Sequence, residues 1–203
     1  GLKNEIPQAG GVPFYQFNNC FIHKANDGLL EAYNCNDSGS TPLSESPVSA
    51  FNVTSTGSTY AVNLSDEKDV LKYKFFTFNY SDMVTKPMGK TELTKNVDVM
   101  TESVALINHK DRLQVCDIQS GKSTDYSFEK EGKIIYDPSA SVNAYYVNEN
   151  TCLKFTPDSV EPQQFKVDFK KLKIDYTKIM AIVGDNYAVS IDAEGFYSFD
   201  KIA

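Results

Sequence analysis

The side chains of this chain best suited to metal binding or nucleophilic chemistry are four cysteines, Cys20, Cys35, Cys116 and Cys152, and two histidines, His23 and His109. Their spacing can be tested against strand geometry. Asp27-Gly28 is the strongest short signal for a two-residue type I′ hairpin turn, and with that turn Cys20 stands directly opposite Cys35. Such a hydrogen-bonded pair has Cα atoms about 5.5 Å apart, compatible with a disulfide although the pleat aims the two Cβ atoms awkwardly. A bridge and two reduced thiols both remain open. Zinc held by Cys20, His23 and Cys35 fails on parity, because positions 20 and 23 point to opposite faces of a strand. Cys116 and Cys152 read as small buried hydrophobes, and the two histidines as structural residues within strands. Asp98, Asp137 and Asp175 lie near expected inner strands, where a pair of carboxylates could be the acid and the base or nucleophile of glycoside hydrolysis; such acids more simply solvate strand ends and turns. The chain has no G-x-S-x-G elbow, phosphate-binding loop or metal-spaced His/Glu motif. The expectation is a protein without a catalytic site, cofactor or metal.

A repeat positions these residues. Alternating apolar runs broken by short polar turns begin at Phe21, Tyr60, Val104, Asn143 and Tyr187, at spacings of 39, 44, 39 and 44 residues. A unit of roughly 40–45 residues built from short strands is the period of a β-propeller blade. The predicted fold is therefore all-β. It is a single β-propeller domain of about five blades of four antiparallel strands, near residues 12–46, 47–88, 96–129, 133–169 and 173–203. In the third blade the strands are predicted at 96–100, 104–108, 112–118 and 123–128. Inner strands of other blades are expected at 47–53, 133–136 and 174–183, and outer strands at 83–88 and 164–169, from period-2 alternation between polar turns. No stretch carries a capped 3.6-residue apolar stripe, so helix should be scarce. Residues 36–46 and 158–162, rich in Ser, Pro, Asp and Gly, read as loose links between third and fourth strands.

Of the 203 residues 41% are hydrophobic and 12% aromatic, with Tyr and Phe supplying every ring because Trp is absent. That is enough to build a core. No run approaches the ~18 apolar residues of a membrane helix. A formal net charge of −7 argues against a general grip on nucleic acid, which clustered Lys and Arg would provide. The one basic concentration is Lys166, Lys170, Lys171, Lys173 and Lys178. It alternates with Val167, Phe169, Leu172 and Ile174, and reads as the solvated face of two strands or as a docking patch for an acidic partner. Asn-X-Ser/Thr sequons at Asn36, Asn52, Asn63 and Asn79 would suit a secreted protein. Asn52 and Asn63 fall inside predicted strands, however, and the weak disulfide case points to cytosol or nucleus, with secretion the alternative.

Residues 113–122, Leu-Gln-Val-Cys-Asp-Ile-Gln-Ser-Gly-Lys, resemble the third strand and following turn of the WD40 repeat family. Cys116-Asp117 holds the place of the family's Trp-Asp pair, Ser120-Gly121-Lys122 that of its turn, and Phe199-Asp200-Lys201 is a fainter echo. Trp and the Gly-His dipeptide are missing and the buried His-to-Asp relay cannot be assigned, so the chain is similar to a divergent WD40-like protein. The resemblance implies an N-terminal strand, residues 2–7, latching onto the three-stranded final blade. The rival is a set of five blades cut from a larger ring. It also implies a non-catalytic scaffold or adaptor that binds another protein or peptide on its rim loops, at 65–69, 89–95 and 130–133. The partner-facing residues expected are Phe75, the odd one out in the aromatic run Phe75, Phe76, Phe78 and Tyr80, and Lys68, Lys130, Lys170 and Lys171. A lectin-like propeller binding carbohydrate is the alternative, and a glycoside hydrolase a third reading.

Overall fold

The computed structural model describes residues 15–17, 19–54, 56–64, 70–136 and 142–202. Among them the fold is all-β, with five antiparallel sheets, here A to E, each a meander of consecutive strands. Among the described residues the single helical element is a 3-10 turn, Tyr176–Lys178. The expected latch, residues 2–7, lies outside the described residues, as do Lys68, the 65–69 loop and Asp137.

The chain divides into two compact units, the first comprising Gly1–Asn96 with Ile118–Gly121. Its sheet A runs β1 (Tyr15–Phe17), β2 (Cys20–Lys24), β3 (Leu30–Asn34) and β4 (Gly39–Pro42). Sheet B runs β5 (Ala50–Val53), β6 (Thr59–Asn63), β7 (Leu71–Asn79) and β8 (Val84–Leu93). Alternation decides which residues meet. Ile22, Leu30 and Ala32 of sheet A pack with Val53, Tyr60, Val62 and Phe78 of sheet B in one core. Rings of this size, fully buried, contribute on the order of 2–3 kcal/mol each. Every residue of β6 is buried, as a strand covered on both faces must be.

Some expectations fail here, two of them through turn and bulge chemistry. The β2–β3 connection is not a two-residue turn. Gly28 N–H donates to Ala25 O and Ala25 N–H to Leu29 O, with Gly28 at φ +88. This is a type I turn closed by a left-handed glycine, one residue longer than a type I′ hairpin, and one residue of slip turns every partner over. Cys20 therefore opposes Asn34, not Cys35, and all four cysteines are free thiols. In sheet B the outer strand runs to Leu93 rather than ending near 88, so most of the predicted 89–95 rim loop is strand. The pairing changes from Phe76↔Pro87 to Lys74↔Lys90 across a bulge, and the extra residue lies on β8 at Met88-Gly89. The 36–46 link likewise contains β4 itself.

The second unit comprises Val97–Asp117 with Lys122–Ala203. Sheet C runs β9 (Val99–Met100), β10 (Val104–Asn108), β11 (Arg112–Asp117) and β12 (Ser123–Ser127). Sheet D runs β13 (Lys133–Ile135), β14 (Ala144–Asn148), β15 (Thr151–Phe155) and β16 (Gln163–Phe165), and sheet E β17 (Ile179–Val183), β18 (Tyr187–Ile191) and β19 (Tyr197–Lys201). Sheet D is covered on both faces. Ala144, Tyr146, Leu153 and Phe155 pack with Val104, Leu106, Leu113 and Val115 of sheet C. The alternate residues Tyr145, Val147 and Cys152 pack with Ile179, Ile182 and Ala188 of sheet E.

Residues 166–175 are not the two strands expected. β16 ends at Phe165, and the backbone of 168–173 closes turns through Leu172 N–H to Asp168 O and Lys173 N–H to Lys170 O. Lys173 adopts φ +60, which breaks strand geometry. Asp175 then caps the 3-10 turn by accepting from Thr177 N–H, so β17 starts at 179, not 174.

Candidate functional site

A cleft of about 950 Å³ opens in the first unit where the end of sheet A meets the outer strands of sheet B. It is within the ~300–1,000 Å³ range of ligand pockets. Two cross-strand rows of sheet B support one wall, which Val62, Lys74, Phe76, Pro87 and Lys90 line. The inner row is Val53, Tyr60, Phe76 and Pro87, and the next is Phe51, Val62, Lys74 and Lys90. Tyr60 and Phe76 stack with ring centroids 5.0 Å apart. The buried Tyr60 hydroxyl donates to Leu43 O at 2.8 Å, tying the chain after β4 to sheet B, and burial pushes its acidity well below that of a free phenol. Opposite this wall, Pro42, Leu43, Ser44, Glu45 and Ser46 form the second side. Ser44 is fixed there because its Oγ accepts from Leu30 N–H at 2.9 Å and donates to Ser46 O at 2.9 Å.

The third side is the segment that resembles a WD40 turn. Gly89 N–H donates to Ile118 O at 2.8 Å, so Ile118–Gly121 docks on the β8 bulge and sets Gln119 and Ser120 on the cleft's edge. This approach requires glycine twice. A Cβ on Gly89 would stand 2.5 Å from Gly121 N, and one on Gly121, at φ +74, would overlap the Lys90 carbonyl. Bulges re-aim side chains next to binding sites, and this one brings Lys90 opposite Lys74; unbroken pairing would have placed Gly89 there.

The expected partner residues fall in different places. Phe75 borders the cleft but is 0% exposed, a correction to its reading as the exposed ring of the run. It alternates with Phe76 and so shares the buried face of Tyr73, whereas Phe76 and Phe78 face sheet A. Lys130, Lys170 and Lys171 belong to the second unit. Lys130 pairs with Glu149 at 2.6 Å, which holds its ammonium above the usual lysine range. Phe169 N–H donates to Glu149 O, which sets the exposed Lys170 and Lys171 on the same edge. The structure thus brings these three together on one edge of the second unit. Sequence reasoning missed the cleft lysines Lys74 and Lys90, because their alignment depends on the bulge.

The candidate acids do structural work. Asp98 accepts from Asn108 N–H at 2.7 Å. Asp175 caps the 3-10 turn, and the Thr177 hydroxyl holds its carboxyl below the ordinary value. His109 Nε2 lies 3.1 Å from Gln114 Oε1, and His23 pairs in register with Glu31. Among the described residues no group of three or more His, Cys, Asp or Glu could hold a metal ion, and no helix is long and apolar enough to cross a membrane.

A second feature is a bare face on sheet E. Val183, Tyr187, Ile191, Tyr197 and Phe199 are exposed, Phe199 at 70%, with Phe196 beside them in the β18–β19 turn at 71%.

No known protein family matches the chain, and no curated protein matches its sequence. Solved structures do match in fold. The computationally designed Ika8 protein aligns over 94% of this chain at 12% identity with a TM-score of 0.51. The chain spans 58% of that protein's length. The N-terminal domain of Nup159 aligns over 93% of this chain and 64% of its own, at 11% identity and a TM-score of 0.45. For the AfRom2 CNH domain the values are 95%, 80%, 7% and 0.44. What this chain shares with the first of these is the fold alone.

Proposed function

We propose that the five sheets are blades of a propeller-type interaction module, which binds another polypeptide without chemistry of its own and works as a scaffold or adaptor. Five consecutive meanders of three or four strands at a period near 40 residues support the blade reading. The observation that carries the binding reading is the first unit's cleft. Its sheet B wall is held by a buried core, and its lining mixes apolar residues with polar and charged groups from three separate segments, the composition of a preformed binding site. Four free thiols suit a reducing compartment, cytosol or nucleus.

The test is a pull-down from cell lysate with the wild type and with Ser46→Trp, which fills the cleft from an exposed edge position. A protein captured by the wild type and lost with S46W, at unchanged melting temperature, is the expected result. Glycan-array binding on the same preparation with no S46W-sensitive protein partner would overturn this reading in favour of a lectin.

A further inference from the structure

Two rungs of the β7–β8 ladder differ in charge. Lys72 faces Glu92, an opposite-charge rung, whereas Lys74 faces Lys90. Like charges directly opposite across an antiparallel pair destabilise the sheet, and the bulge at Met88-Gly89 creates this one. Both lysines are exposed and line the cleft, and neither makes an ion pair among the described residues. One carboxylate, Glu45, lines the cleft from sheet A's side. Beside the lysines on the same face of sheet B, Phe76 and Pro87 continue the wall as an apolar step. In a protein of net charge −7, a repulsive cationic pair set in a concave apolar site is a local reversal of sign.

We propose that Lys74 and Lys90 form a two-lysine clamp for an acidic side chain of an extended peptide, whose neighbouring apolar residue packs on Phe76 and Pro87. This inference rests on the cleft being the polypeptide-binding site of the preceding section. An acidic group between the two ammonium ions relieves their repulsion and gains two charge-assisted contacts at once. The peptide is selected by its charge and by the spacing of its acid from its apolar anchor.

The test uses a random dodecapeptide library displayed on phage, selected against the full chain, with affinities of synthetic leads measured by fluorescence anisotropy. The expected result is peptides that lose binding to S46W and carry Asp or Glu within three residues of an aromatic or aliphatic residue. Their affinity should fall at least tenfold for K74E/K90E and fall with rising salt. Reselection on that double variant should return Lys- and Arg-bearing peptides. Lys90→Glu alone separates the clamp from a folding defect, because it turns the repulsive rung into an attractive one: melting temperature should rise while affinity falls. Cleft-dependent peptides indifferent to K74E/K90E would overturn the clamp and leave the module standing. A selection yielding no S46W-sensitive peptide would overturn both.

Discussion

Sheet B has four strands, the outer two of nine and ten residues, and its β6 is buried at every position. Sheet E has three strands of five residues and leaves aromatic side chains on one face in solvent. Each sheet has a strand that alternates apolar and polar residues, Leu71-Lys72-Tyr73-Lys74-Phe75 in β7 and Tyr197-Ser198-Phe199-Asp200 in β19. Alternation therefore specifies which residues share a face, and says nothing about whether another layer covers it. In sheet B a row ends in lysines over a cleft; in sheet E the row Tyr187, Val189 and Ile191 pairs with Lys201, Phe199 and Tyr197, and all of its rings are exposed.

Removing a ring should separate the two sheets most sharply. Tyr60→Ala strips a stacked, fully buried ring and its bond to Leu43, and should cost about 3–5 kcal/mol in urea denaturation. Phe199→Ala should stay within about 0.5 kcal/mol; a cost near that of Tyr60→Ala would mean the sheet E face is covered in solution. Glycine substitutions come next. Gly121→Ala adds a clash with the Lys90 carbonyl to its left-handed strain and should cost about 3 kcal/mol. Gly184→Ala, at φ +57 in the β17–β18 turn with nothing within 4 Å, should cost about 1 kcal/mol.

The same turn carries a pH dependence. Asp185 accepts from Tyr145 OH at 2.7 Å and from Lys154 Nζ at 2.5 Å. Burial pushes its carboxyl up, but these two bonds outweigh it and hold the group below its ordinary value. The stabilisation is then complete above the unfolded value near pH ~4 and is lost as pH falls through the lower folded one. The melting-temperature gap between wild type and Asp185→Asn should be constant from neutral pH down to about 5 and close toward pH 2. Thiol chemistry gives the smallest effect. Exposed Cys35 should react first with a maleimide, whereas Cys152, pushed up to about 12 by burial and then by the Asp185 charge, should react only after unfolding.

The strands most legible in the sequence are those with clean alternation between polar turns. β10 matches its predicted bounds, and β11 begins where predicted and ends one residue early. Register was less legible. Asp27-Gly28 fits either a type I′ turn or a type I turn with a left-handed glycine, and only the Ala25–Leu29 hydrogen bond decides between them. The cleft was not legible at all, because Ser46, Lys74, Lys90 and Ser120 are distant in the chain and meet only through pairing that a bulge has shifted. Phe75 shows the same limit from inside. The run Phe75, Phe76, Phe78 and Tyr80 marks an aromatic strand, but its odd member is set by which side is buried, and both are.

Each sheet is one uninterrupted stretch of chain, the longest being the one from Ala50 to Leu93. On a ribosome that delivers residues from the N-terminus, no strand within a sheet waits for a partner from a later one, so each meander can close as it emerges. The docking of Ile118–Gly121 on the β8 bulge is different. Its two glycines must find each other across just over thirty residues of chain, which makes that clasp the step that can report when sheet B has received its last piece.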